Sequence, residues 1–268
     1  MENDKMRFKD YSRALEYDRK AAISDIRAQL VPKLVEALDF RGNDYVLDLA
    51  TGTGRFARPV AQHLKNGRIV GLDEALAMLR VAQEQKEKEP IPGFLFAAGT
   101  AEAFPFRDGS FDRAFTVFAL HHFGNPSLMM REAHRVLKAG GRFVVLDPVV
   151  ATAEDSLDEA IHDLINQILR RAHGDYFHYH STEDVRDLLT RAGFHVIRAD
   201  VLTYDADQEG MDGIPTGRHW LEIAEQLQGE SPEIRGRFEE KYFRYEKKGD
   251  KVHIRGKFGY GLVCGEKR

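Results

Sequence analysis

A single cysteine, Cys264, stands in a chain of 268 residues, which excludes an internal disulfide and any metal site built from several thiolates. Long apolar runs are missing too. The longest, FVVL and LVC, fall far short of the roughly 20 residues that a membrane-spanning helix needs. There is no excess of basic charge: 39 Lys and Arg against 43 Asp and Glu leave a net charge of −4, with the signs interspersed. Nucleic-acid binders usually carry a basic face, so no nucleic-acid partner is expected. The opening MENDKMRFKDYSR is charged where a secretory signal needs an apolar core, and no segment is repetitive or low in complexity. A cytoplasmic protein is the expectation. What is present, 43% hydrophobic residues, suffices for one large domain over 1–268, with or without a modest cap.

Between residues 44 and 150 the chain alternates short apolar runs with turns and helical patterns. YVLDLA (45–50), RIVGLD (68–73), GFLFAAG (93–99), DRAFTVFAL (112–120) and RFVVLDPVV (142–150) read as strands buried on both faces. RFARPVAQHLK (55–65), ALAMLRVAQEQKEK (75–88) and a segment near 126–139 read as the intervening helices. Asn125 or Ser127 would cap the last of these and Gly140-Gly141 would stop it. Such alternation with short connections predicts a mostly parallel sheet covered by helices on both faces. Residues 8–40 look helical, with Ile23, Ile26, Leu30, Leu34 and Leu38 in step, so 1–43 forms an N-terminal helical segment. Further helices are expected at 153–172 and at 182–192, the second opened by Ser181 or Thr182. A sixth strand follows at 194–204, then a polar, helix-rich insertion at about 216–246, and strand character returns over 251–267.

The chemistry concentrates at Asp48-Leu49-Ala50-Thr51-Gly52-Thr53-Gly54, between the first strand and the first helix. Glycine there lets a ligand approach the backbone, and the helix start offers unpaired N–H groups. Asp73, at the end of the second strand, is placed to accept hydrogen bonds from both hydroxyls of a ribose. Together they point to a nucleoside-containing ligand. The glycines also satisfy the weak G-x-G-x-x-A dinucleotide pattern, so a nicotinamide-dependent oxidoreductase is the rival enzyme class. Asp48 weighs against it, because a carboxylate would repel a pyrophosphate at that position. S-adenosylmethionine (SAM) presents an ammonium and a sulfonium instead.

At this point VLDLATGTGRFA resembles the first motif of class I SAM-dependent methyltransferases, and VGLDEALAML their ribose-binding segment. The run from GTAEAFPF to RFVVLD is similar to the ubiquinone/menaquinone-methyltransferase-like (UbiE/YcgJ-type) branch. The resemblance implies an α/β fold: a Rossmann-like, doubly wound, seven-stranded sheet, mostly parallel with its last strand antiparallel. It places the SAM-binding core at 44–150 and a C-terminal half at 151–268, whose helical insertion at about 205–250 is a candidate substrate cap.

It also implies roles. Asp48, Ala50, Thr51, Gly52 and Gly54 would hold the methionine part, Asp73 the ribose with Glu74 and Ala75 beside it, and Thr100, Ala101 and Glu102 the adenine edge. Phe118 through His122 would floor the pocket, and Tyr11 or Tyr17 would close over it. Ala50 replaces the usual first glycine, which should cost little because alanine is the next smallest residue. Thr100 stands where an aspartate normally receives the adenine amino group. The quinone enzymes' own pattern after strand four is replaced by ALHHFGNP, so quinone biosynthesis is not carried over.

Methyl transfer from a sulfonium asks the protein chiefly to align the reactants, and a base is needed only if the acceptor loses a proton. His121 and His122 are the catalytic candidates, as base or substrate contact. The alternative is one pocket wall and one structural histidine. Asp147 would orient an acceptor or cap a turn, and the cluster from His173 through His178 to His180 would face the cleft or simply the solvent. Trp220, Tyr242 and Phe243 would pack on the sheet or form a lid. No metal is expected. The expected partner is a small-molecule acceptor methylated on O, N or C. A non-catalytic SAM-binding regulator is the other rival, and a homodimer is one arrangement left open.

Overall fold

A computed structural model describes residues 10–21, 27–249 and 251–268. Two of the expected helical positions, Ile23 and Ile26, lie outside the described residues. Strands β1 (Tyr45–Leu49), β2 (Arg68–Asp73), β3 (Phe94–Ala98), β4 (Phe111–Val117) and β5 (Leu137–Pro148) form the parallel part of the sheet, in the order β3-β2-β1-β4-β5. The long β8 (Lys251–Lys267) enters antiparallel between β5 and the edge strand β6 (Phe194–Glu209).

The expected seven strands are eight, because β7 (Phe243–Lys248) pairs with the first half of β8. FRYEKK is charged enough to read as the end of the helical insertion, yet Phe243 is fully buried while the residues after it largely face solvent. The pairing depends on a missing side chain: a Cβ at Gly256 would lie 2.3 Å from the Phe243 Cα.

Ahead of the sheet lie α1 (Tyr11–Ala21) and α2 (Arg27–Leu38), and between strands lie the short α3 (Ala57–Ala61) and α4 (Leu76–Lys88). Then come α5 (Pro126–Val136), α6 (Ser156–His173), α7 (Thr182–Arg191), α8 (Gly217–Leu227) and α9 (Pro232–Lys241). Alternation along each strand divides the apolar residues between the two faces of the sheet. Val46, Phe115, Val144 and Leu262 meet α2, α6 and α8 on one face, while Leu47, Ala114, Val145 and Val263 meet α5 and α7 on the other. Trp220, Tyr242 and Phe243 belong to the first of these cores, so they pack rather than form a lid.

The caps follow the sequence. The Asn125 side chain accepts from Leu128 N–H, and Ser181 with Asp184 forms a reciprocal capping box. Helix α5 ends earlier than expected, at Val136, because Leu137 already pairs with Phe111 as the first residue of β5. Gly140-Gly141 therefore falls inside the strand.

One buried cation ties the N-terminal helices to the sheet. Arg113 of β4, 3% exposed, donates to the carbonyls of Leu38 (2.6 Å) and Asp39 (2.9 Å) and lies 3.8 Å from Asp44. Those carbonyls end α2 and lack intrahelical partners. Arg113→Leu should therefore lower unfolding free energy by about 3–5 kcal/mol, the range for removing one partner of a buried charge pair. Urea denaturation measures it, and a loss under 1 kcal/mol would show that the pair is not needed.

Candidate cofactor cleft and its histidine rim

The carboxyl ends of β1, β2 and β4 open into a cleft enclosing about 1110 Å³ of empty space, part of it open to solvent. Its wall includes Tyr17, Ala50, Gly52, Asp73, Glu74 and Ala75, then Ala101, Glu102, Phe118 and His122. With Ala119 these are eleven of the residues singled out from the sequence, drawn from five separate segments.

The loop after β1 is bound to the end of β2. Gly52 N–H donates to Asp73 Oδ2 and Ala75 N–H to Asp73 Oδ1, both at 2.8 Å, and Thr51 N–H donates to the Leu72 carbonyl at 3.0 Å. One carboxylate thus joins the glycine turn to the start of α4, and each oxygen retains a lone pair for a ligand. Gly52 and Gly54 take φ values of +55° and +75°. Ala50 also sits in the left-handed region, at φ +55°. Its cost is therefore set by the backbone as well as by size, about 1–2 kcal/mol against glycine's freedom there.

Asp48 is 3% exposed and lies behind the loop rather than on the cleft wall. The Thr51 hydroxyl donates to its Oδ2 at 2.6 Å. Burial pushes the Asp48 carboxyl up to about 8, against the Thr51 hydrogen bond and with the help of the Asp73 charge. Burial also raises Asp73, against the N–H groups that hold it. A cation brought beside these two carboxyl groups would stabilise their ionised forms, whereas an anion would oppose their ionisation further.

Other expected positions lie elsewhere. Thr51 and Gly54 shape the turn from behind. Thr100 is exposed, bridges to Ala103 and is not part of this wall. Tyr11 points to α4, where its hydroxyl donates to Glu84 at 2.7 Å and Arg80 lies over its ring. Helix α1 is anchored instead through Asp18, which accepts from the Thr53 hydroxyl (2.6 Å) and the Gln85 amide (3.0 Å), leaving Tyr17 over the cleft. The wall also includes Leu49, Leu72, Met78, Gly99, Phe104 and Phe123, which the sequence reading did not select. They look like ordinary core residues, and only their position at strand ends, in adjoining turns or, for Met78, in the first turn of α4 could have flagged them.

At the other end of the cleft Phe118, unusual for a bulky residue at φ +53°, turns the chain from β4 into a single 3₁₀ turn, Leu120–His122. That turn splits the two histidines. His122 lines the cleft, whereas His121 is 2% exposed and bonds through Nδ1 to Asp147 Oδ2 at 2.8 Å. The Asp147 oxygens also accept from the N–H groups of Leu120 and His121, at 3.3 and 3.2 Å.

A sheet ordered β3-β2-β1-β4-β5-β8-β6, with an acid clasping a glycine turn at its carboxyl edge, defines the class I methyltransferase fold. The chain belongs to the methyltransferase-domain family, whose model matches residues 47–145. It is 30% identical over 187 residues to the ubiquinone/menaquinone biosynthesis C-methyltransferase UbiE of Pectobacterium atrosepticum, covering 63% of this chain and 73% of that protein. It is 32% identical over 131 residues to the uncharacterized methyltransferase YcgJ of Bacillus subtilis, covering 49% of this chain and 51% of YcgJ. The match thus spans about half the length, or less, of the first curated relatives. The crystal structure of YcgJ superposes with a TM-score of 0.69 at 23% identity, over 89% of this chain and 97% of that one. A SAM-dependent methyltransferase from Aquifex aeolicus superposes at 0.57 and 15% identity, over 96% and 98%. Among the described residues no helix is long and apolar enough to cross a membrane.

The Asp48 environment predicts a sign. Between the ordinary carboxylate range and about 8 the folded state keeps the proton that the unfolded state has lost, so stability falls as pH rises through that window. Asp48→Asn should flatten the decline, which can reach ~1.4 kcal/mol per pH unit. Denaturant midpoints at several pH values measure it, and parallel profiles would contradict the burial argument.

Proposed function

We propose that the chain binds SAM in this cleft and transfers its methyl group to O, N or C of a small-molecule acceptor. The observation that carries this reading is the buried Asp48 carboxyl beside the half-buried Asp73, which lines the cleft next to a glycine turn. A dinucleotide would bring phosphate charge to Asp48. The methionine end of SAM brings an ammonium and a sulfonium, which relieve it. Bound there, SAM supplies an activated methyl group and a neutral thioether leaving group.

The residues divide the work. Asp73 would accept from the ribose hydroxyls with the lone pairs its two N–H partners leave free. Ala101, Glu102 and Phe104 would frame the adenine, and Ala50 with Gly52 the methionine part, over Asp48 and Thr51. Tyr17 would cover the ligand from α1, while Phe118 and His122 would shape the end where the methyl emerges. On this reading residues 44–150 serve the donor and 151–268 the acceptor, within one domain.

Asp73 also holds the loop, so its removal to alanine would release Gly52 and Ala75 N–H as well as the ribose. Asp73→Asn, which keeps shape and one acceptor, is the cleaner test. It should weaken S-adenosylhomocysteine binding by about 1.5–3 kcal/mol, the range for hydrogen bonds to a charged group. Calorimetric titration measures it, and unchanged affinity would remove the ribose assignment.

A further inference from the structure

The cofactor reading gives the adenine, ribose and methionine parts to one end of the cleft and leaves the other end to the acceptor. That end is lined by Phe118, Ala119, His122 and Phe123, which border the same solvent-open space as Asp73. An acceptor entering from solvent can reach it through the cleft itself. Three of these four side chains are apolar, and only His122 can hydrogen-bond. Phe118 is kept in place by Phe56, edge-on at 5.6 Å between centroids, and by Tyr260, also at 5.6 Å. Phe177 backs His122, edge-on at 5.1 Å.

The wall continues onto the surface through Gly124 and Tyr176. Tyr176 is 57% exposed, whereas the next residue, Phe177, is 2% exposed. The chain is pinned here, because Phe177 N–H donates to the Gly174 carbonyl (3.0 Å) and His178 N–H to the His121 carbonyl (3.1 Å). One ring is thereby turned into the core and its neighbour out over the rim. An exposed tyrosine by itself is ordinary, but this ring is seated. A Cβ at Gly124 would lie 3.1 Å from its Cδ1 and 3.4 Å from its Cγ. Gly124 does not take a positive φ, so it is the ring, not the backbone, that needs the missing side chain. An aromatic surface is thus fixed beside Phe123, next to the cleft wall.

Charge narrows the ligand further. Asp73, Glu74 and Glu102 lie on the cleft wall, and no lysine or arginine does among the described residues. A carboxylate or phosphate on the acceptor would meet repulsion and no counter-charge. Resting on the methyl-transfer reading above, we infer that the acceptor is a planar, apolar molecule without negative charge, held between Phe118 and Phe123 and stacked at its outer end on Tyr176. Flat rings suit such a molecule through offset or edge-on contact. His122 supplies the polar contact that fixes its orientation, as the few polar groups of an apolar pocket do. Tyr176 is then a specificity-determining residue for the acceptor, and it stands outside the wall that serves the donor.

The test uses the full chain saturated with S-adenosylhomocysteine and three probes built on one carbon skeleton. These are 2-naphthol (planar and neutral), decahydro-2-naphthol (puckered and neutral) and 2-naphthoate (planar and anionic). Calorimetric titration reads the affinity of each. The expected result is 2-naphthol binding at least ~10-fold tighter than either of the others, as contact with two or more rings would give. Tyr176→Ala should reduce the preference for 2-naphthol over decahydro-2-naphthol by about 3–10-fold, the range for one aromatic pair. Gly124→Val, which displaces the ring but keeps the tyrosine, should do the same. Both variants should hold S-adenosylhomocysteine affinity within about threefold, as expected of a site apart from the donor's, and that retention shows that they fold.

Equal or tighter binding of decahydro-2-naphthol or 2-naphthoate to the wild type would overturn the assignment, and needs no variant to fold. So would failure of every probe to bind while S-adenosylhomocysteine does. A preference unchanged in Tyr176→Ala, or both neutral probes weakened alike as by a merely structural ring, would also overturn it. Failure of the wild type to bind S-adenosylhomocysteine would overturn the cofactor reading itself, and the acceptor site with it.

Discussion

The cleft depends on the Asp73 carboxylate and the two backbone N–H groups it holds. Without that clasp the turn after β1 and the start of α4 are separate loops, each with an unpaired donor at the sheet edge. With it, Gly52 and Ala75 are fixed 2.8 Å from opposite oxygens of one side chain. The strained Ala50 is held in its left-handed conformation within the same turn. Asp48 completes the arrangement from below, and its buried carboxyl ionises more readily beside a cation and less readily beside phosphate. On the proposed reading, donor specificity would follow from where a strand ends and which side chain ends it.

A second carboxylate repeats the device on the other side of the sheet's midline. Asp147, at the end of β5, gathers the N–H groups of the 3₁₀ turn and the His121 ring, much as Asp73 gathers the glycine loop. Both acids sit at carboxyl ends of parallel strands, where ligands bind in open α/β sheets. The C-terminal half of the chain then closes around the second acid. Helix α8 and the segment after α6 bring Phe177, Tyr179 and His219 to a ring that belongs to β4's turn.

Much of this was legible in the sequence, for a physical reason. Parallel strands buried on both faces must be short apolar runs, and β1, β2, β4 and β5 read as such. Asn125 and Ser181 announced their helices because capping is local. What stayed hidden depends on partners distant in sequence. β7 is a charged hexapeptide that becomes a strand only because Gly256 lets it lie close over β8. His121 and Asp147 each stood out alone, but their pairing across two strands did not. Tyr11 and Tyr17 could not be told apart until α1 was docked through Asp18 on Thr53 and Gln85, which turns one tyrosine to Glu84 and the other to the cleft. Leu49, Leu72 and Met78 carry no mark beyond being apolar at the right edge.

The central claim is that the carboxyl edge of this sheet is built for a cationic nucleoside donor and against a dinucleotide. Parallel calorimetric titrations of the wild-type chain with SAM, S-adenosylhomocysteine and NAD test it most directly. The account predicts micromolar binding of SAM and S-adenosylhomocysteine and none of NAD. Binding of NAD alone would contradict it, and would mean that Asp48 does not set the charge of the site.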